Sequence, residues 1–183
     1  ACGMVPPEAV GPIVAACRHE AIDFAALGEA AVGAGNLAIP LVKQLTVQVK
    51  ARDPEAARYV HWGATSQDAI DTGLVLQLRG ALDAAETLLE QLLAALALQA
   101  DRYRDTVMPG RTWMQHALPV TFGLKLAGTL DALLRWQQRL REMRPRLLAL
   151  QFGGAAGTLD ALKEKGPAVG LALAQILGLS LPD

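Results

Sequence analysis

Between Gln67 and Arg102 apolar residues fall at Ile70, Leu74, Leu78, Ala81, Leu82, Ala85, Leu88, Leu89, Leu92 and Leu96. Spacings of three and four repeat along the whole stretch, which marks one face of a helix turning every 3.6 residues. Such a helix runs roughly 50 Å at ~1.5 Å per residue, longer than a small monomeric domain needs. Its apolar stripe has to be buried against other long helices, and any fold for this chain must be built around that requirement.

The rest of the sequence agrees with packed helices. Hydrophobic residues make up 52% of the chain but aromatics only 4%, so the core is built from Leu, Ala and Val, which favours helix on helix over a sandwich. Residues 6–51 read as short helices punctuated by Gly and Pro, "PPEAVGPIVAAC", "DFAALGEAAV" and "NLAIPLVKQLTVQVKA". Asp53-Pro54-Glu55 reads as a turn opening another short helix. "MPGRTWMQHALP" then breaks the long-helix pattern as a connector, with Pro119 expected in the first turn of the next helix. Leu124, Leu126, Ala127, Leu130, Leu133, Leu134 and Leu140 restore the period, and Pro145 is expected to kink or end that helix near Arg144. "QFGGAAGTLDAL" reads as a glycine-rich loop opening a further helix, and "AVGLALAQILGL" as a last amphipathic segment. The fold class expected is all-α.

Charge narrows the partners. The formal net charge is −1 with a sequence pI near 6.4, and no Lys/Arg run tracks a phosphate backbone, so no nucleic acid is expected. The densest basic patch, "RLREMRPR" (Arg139 to Arg146), reads as a solvated helix face. No apolar stretch reaches the ~18 residues of a membrane span and nothing resembles a secretory leader, so no membrane is expected and the location read is cytoplasmic. Cys2 and Cys17 form no disulfide framework in a chain this large and read as reduced thiols. His19, His61 and His116 stand at no metal-ligand spacing, so no metal site is expected.

Three polar clusters interrupt this pattern. In "HWGATSQD" (His61 to Asp68), Thr65 as N-cap with Asp68 three residues on is an approximate capping box that satisfies orphan N–H groups at the long helix's start. Capping does not account for His61, Ser66 and Gln67 beside them, and a helix N-terminus with spare hydroxyl and amide donors suits a carboxylate. "GRTWMQHALPVTFG" (Gly110 to Gly123) reads equally as a plain connector or as a polar site, because Arg111, Thr112, Trp113, Gln115 and His116 crowd into six residues. The glycines of "QFGGAAGT" lack a P-loop lysine and a preceding strand, and read as close backbone packing rather than phosphate binding.

The first two clusters, in this order, resemble two signature segments of the fumarase/aspartase superfamily. "HWGATSQDAIDTG" is similar to its histidine-glycine, Thr-Ser-x-Asp segment and "GRTWMQHALPVTFG" to its Gly-Arg-Thr segment. "LVLQLR", "KLAG" and "RPRLLALQFGGAAGTL" resemble the superfamily's bacterial lactonizing cycloisomerases, with adenylosuccinate lyase the next relative. The resemblance implies a small N-terminal helical domain (residues 1–65) followed by the first part of the central long-helix bundle (66–183). Members that expel an amine or hydroxyl typically carry His after Gly-Arg-Thr, where this chain has Trp113. A basic leaving group needs a proton as its bond breaks, and a general acid contributes about 10²–10⁴ in rate. A carboxylate, with a pKa near ~4, needs none, so the substitution suits lactonization and would damage adenylosuccinate cleavage unless His116 or His61 substitutes.

The resemblance therefore implies cofactor-independent closure of a tricarboxylate diene from protocatechuate breakdown to a lactone. The superfamily's common step moves a proton alpha to a carboxylate through an enediolate-like species whose charge must be held by preorganised donors. By the same resemblance His61 and Ser66 are the catalytic candidates. Thr65, Ser66, Gln67, Arg111, Thr112, Trp113 and Gln115 are the substrate-binding candidates: Thr65, Ser66 and Gln67 hold the developing charge, Arg111 and Thr112 clamp another carboxylate, Gln115 adds a hydrogen bond and Trp113 shapes the pocket. A homotetramer with active sites shared between subunits is also implied. The superfamily's third signature, a Gly-Ser-Ser-x-Met-Pro loop, appears nowhere in these residues, so the reading expects a fragment without turnover of its own. A helical oligomerisation module without catalysis is the contrasting expectation.

Overall fold

The computed structural model describes residues 2–182. Three helices open the chain: α1 (Pro7–Ala16), α2 (Phe24–Ala34) and α3 (Ala38–Arg52). Each boundary has a local cause. The Asp23 carboxylate accepts from the Ala26 N–H at 3.0 Å and so caps α2. The Asp53 carboxylate ends α3 by accepting from the Glu55 and Ala56 N–H groups at 2.9 and 3.0 Å, an Asx turn that opens a 3-10 turn over Ala56–Tyr59. Ala9, Ala16, Val49, Ala56 and Ala57 bury one another in a core of small side chains, which lets the short helices approach closely.

The long helix α4 (Ser66–Arg102) has 37 residues, within one residue of the span read from periodicity. A two-stranded antiparallel ribbon follows, β1 (Val107–Thr112) with β2 (Gln115–Thr121), then α5 (Phe122–Leu147), a 3-10 turn over Asp160–Lys165, and α6 (Gly166–Leu177). Helix dominates, as the all-α reading expects, with this one ribbon added. No helix among the described residues is long and apolar enough to cross a membrane.

The chain divides into two compact units, Ala1–Leu76 with Leu148–Asp183, and Gln77–Leu147. The sequence boundary at residue 65 divides it differently. Residues after Leu147 join the first unit because the start of α4 bonds to them. Buried Thr72 donates its hydroxyl to the Gln151 carbonyl at 2.8 Å and accepts from the Gln151 N–H at 3.2 Å. Leu150 and Leu162 are sealed within this unit, and a parallel bridge joins Ala149 to Ser180.

In the second unit α5 is tied to α4 by charge. Arg144 pairs with Asp83 and, at 3.2 Å, with Glu86, while Arg141 reaches Glu90 at 3.5 Å. The hydrogen bond to Asp83, aided by the Glu86 charge, raises the Arg144 pKa from its ordinary value. The apolar stripe is only partly covered here. Leu82, Leu89 and Leu96 are half-buried, but Leu88 is 66% and Leu92 47% exposed, and Leu124, Leu134 and Trp136 of α5 are exposed too. The stripe that periodicity reads as buried lacks its full cover within the single chain.

Two local expectations are corrected. "MPGRTWMQHALP" joins the two long helices as expected but does so as a hairpin, and Pro119 lies in β2, opposite Pro109, instead of in the first turn of α5. Both strands of a two-stranded ribbon are edges, so each Pro finds a rung where its missing N–H is not needed. α5 runs through Pro145 and ends at Leu147, three residues beyond the Arg144 at which a kink or an end is expected.

Candidate active site

The first cluster belongs to the first unit. After the Ala56–Tyr59 turn the backbone passes through a left-handed residue at His61 (φ 60°), and the Tyr59 and Trp62 rings meet at 5.8 Å. Thr65 then occupies the N-cap position of α4, with Ser66 and Gln67 as its first helical residues. The Thr65 N–H donates to Asp68 Oδ2 at 2.9 Å, which is the acidic side of the expected capping box. His61, Thr65 and Ser66 are half-buried and Gln67 is exposed. The Gln67 amide donates to Asp71 Oδ1 at 2.6 Å, so one turn of helix holds this side chain in place. The structure thus gathers Thr65, Ser66 and Gln67 at one helix mouth, where the dipole and the free N–H groups of the first turn favour an anion.

Sequence reasoning missed what lies beneath that mouth. Asp68 also accepts from Gly153 at 2.9 Å through Oδ1 and from Gly154 at 3.0 Å through Oδ2. Gly154 has φ +71°, and a Cβ on it would lie 3.2 Å from the Gly63 carbonyl oxygen, so a side chain there would be strained and crowded at once. The glycine-rich loop is therefore a backbone nest whose anion is the chain's own carboxylate. Its reading as close packing fits. The only sequence signal of the contact is a glycine pair 85 residues from its partner.

The second cluster belongs to the second unit, on the hairpin. Arg111 stands opposite His116 and Thr112 opposite Gln115. Because successive strand residues point to opposite faces, Arg111 and His116 share one face and Thr112 and Gln115 the other. All four are exposed, and among the described residues Arg111 is paired with no carboxylate. A groove along the ribbon is lined by Met108, Leu118, Val120 and Leu124, with Arg111 and Lys125 as its cations. Trp113 and Met114 form the two-residue turn, both at positive φ (49° and 61°), the geometry of a turn that usually carries Asn-Gly. Trp113 stands 93% exposed at the tip.

At the far end of the cluster, Gly123 sits where a Cβ would come within 2.5 Å of both the Ala100 carbonyl oxygen and the Arg104 Cα. Its N–H donates to the Tyr103 carbonyl at 2.9 Å, and the Tyr103 and Phe122 rings lie 5.3 Å apart. These contacts fix the hairpin at the end of α4. No three His, Cys, Asp or Glu side chains among the described residues converge where a metal could sit.

Comparison with known proteins identifies the family of the chain. The 3-carboxy-cis,cis-muconate cycloisomerase of Pseudomonas aeruginosa is 63% identical over 181 residues, 99% of this chain and 39% of that protein. The enzyme of that name in Bradyrhizobium diazoefficiens is 55% identical over 183 residues, 100% of this chain and 41% of the relative. Among solved structures, the 3-carboxy-cis,cis-muconate lactonizing enzyme of Pseudomonas putida superposes with a TM-score of 0.97 at 58% identity, over 100% of this chain and 42% of that one. The chain thus spans about 40% of the length of these relatives. The family model described as "Lyase" matches residues 2–181. Signature segments, fold and match agree, and the chain belongs to this lyase family of the fumarase/aspartase superfamily.

Proposed function

We propose that this chain is part of a 3-carboxy-cis,cis-muconate cycloisomerase, which closes a tricarboxylate diene to a lactone without a cofactor. The observation that carries the reading is the whole-chain likeness to lactonizing enzymes. Chemistry supports it at Trp113. The nucleophile of lactonization is a carboxylate already ionised at neutral pH, and in reverse it is a leaving group that needs no protonation. A position that needs no acid can hold an apolar ring.

In this mechanism Thr65, Ser66 and Gln67, with the α4 N-terminus behind them, hold the charge that develops when the carbon alpha to a carboxylate gains or loses its proton. Arg111 and Thr112 clamp a second carboxylate, the guanidinium supplying a fork that a carboxylate matches with two parallel bonds. Gln115 adds a donor, and His61 contacts substrate or moves the proton. Four copies combine, so that the α4 and α5 faces bearing Leu88, Leu92, Leu124 and Leu134 bury one another and the active sites draw residues from different copies. The exposure of those side chains in the single chain supports this. The site of action is the cytoplasm, in keeping with two free cysteines.

The test places this chain in the matching segment of the Pseudomonas aeruginosa cycloisomerase and supplies 3-carboxy-cis,cis-muconate and adenylosuccinate separately. The hybrid is expected to consume the diene, followed by loss of its ultraviolet absorbance, and to leave adenylosuccinate untouched. A folded hybrid that consumes only adenylosuccinate, or neither compound, contradicts the proposal.

A further inference from the structure

We propose that Asp68 is a positioning residue for the anion-binding mouth of α4, fixing Thr65, Ser66 and Gln67 by locking the first turn onto the loop at Gly153 and Gly154. The inference rests on the proposed function of that mouth and adds to it a residue that does not touch substrate.

Three backbone N–H groups converge on one carboxylate. Oδ1 takes Gly153, while Oδ2 takes both Gly154 and Thr65. Thr65 lies on one side of Ser66 and Asp68 on the other, so the bonds bracket Ser66. They hold the N-cap residue and the first turn of α4 to one external frame. The same frame reaches the turn that carries His61, because Gly154 packs against the Gly63 carbonyl. Two halves of the cluster that lie five residues apart, His61 and Ser66, are thereby set against a single loop.

Only a carboxylate satisfies this arrangement. All three partners are donors, and an ionised carboxylate is acceptor-only on both oxygens. An amide in its place has one oxygen and one NH₂, so whichever way it is turned at least one N–H faces another donor. The charge also does work that a neutral acceptor cannot, since it lies at the positive end of the α4 dipole. It meets that field from inside the fold and leaves the outward donors of the first turn for the substrate.

Thr72 provides a matched comparison. It lies one turn further along α4, is buried, and bonds to the same segment at Gln151. It stabilises the same contact without touching the helix mouth. A merely structural role for Asp68 would therefore make its loss resemble that of Thr72.

The experiment uses the active hybrid enzyme and compares Asp68→Asn with Thr72→Val. Both are expected to lower the unfolding temperature. In enzyme that remains folded, Asp68→Asn is expected to raise KM for 3-carboxy-cis,cis-muconate about tenfold, the size of one lost charge-assisted hydrogen bond. Thr72→Val is expected to leave KM within about twofold, because its bonds lie away from the mouth. Asp68→Glu retains the charge and is expected to recover part of the Asp68→Asn loss. Should Asp68→Asn lower only the folded fraction, with KM unchanged as in Thr72→Val, the positioning role is overturned. If Asp68→Asn does not fold, Asp68→Ser, which keeps one acceptor and removes the charge, takes its place, a raised KM supporting the role and a KM equal to that of Thr72→Val overturning it. An unmutated hybrid with no turnover would be a failure of the functional proposal and not of this one.

Discussion

Replacing Arg111 with Gln in the active hybrid is expected to reduce kcat/KM by about 10²–10³-fold, the cost of leaving one charge of a desolvated ion pair without its partner. Arg111 stands on β1, and among the described residues no carboxylate pairs with it to compete with an incoming anion. Arg111→Lys should separate charge from geometry. Lysine keeps the positive charge but lacks the planar fork, and an intermediate loss is expected. Steady-state kinetics with 3-carboxy-cis,cis-muconate gives the order Arg above Lys above Gln. Equal rates for all three would remove Arg111 from substrate binding.

Gly123→Ala is expected to destabilise the chain by about 3 kcal/mol, at the upper end of the usual cost of overpacking. The added methyl would meet the Ala100 carbonyl and the Arg104 backbone at 2.5 Å, and backbone cannot swing aside as the end of a side chain can. Gly128, five residues further along α5, has nothing within 4 Å of its added Cβ. Gly128→Ala should therefore stabilise by about 0.5–1 kcal/mol through helix propensity alone. Denaturant unfolding of the two variants gives shifts of opposite sign, and a Gly123→Ala midpoint at or above that of the unmutated chain would refute the packing argument.

These residues also explain what could be read from the sequence. The long helix was legible to within a residue at its start because its stripe and the Thr65–Asp68 cap are local patterns. The hairpin was not. Its turn carries Trp113-Met114 instead of Asn-Gly, and each strand contains a proline, so every local sign argued against strands. Tertiary packing overrode local propensity there, with Gly123 fixing the far end. Pro145 lies inside α5 with the helix ending two residues later at Leu147, so the break that proline favours comes within the last turn and not at the residue before it. Asp68 was legible as a cap and illegible as the anion of the glycine loop, because no local pattern joins residues 85 apart in sequence.

The candidate site was legible as two polar clusters, and the structure sorts their members more finely. The first becomes one helix mouth, and the second two faces of a ribbon with Arg111 and His116 on one and Thr112 and Gln115 on the other. Under the proposed function, Ser66 and Arg111 serve the same carboxylate-rich substrate and reach it from different copies of the chain. Mixing tests this directly. Ser66→Ala and Arg111→Gln hybrids, each with little activity, are unfolded together and refolded. If sites combine Ser66 of one copy with Arg111 of another, random assembly leaves about a quarter of them intact, and turnover of 3-carboxy-cis,cis-muconate is expected to return to about that fraction. Refolded mixed assemblies no more active than either parent would contradict it.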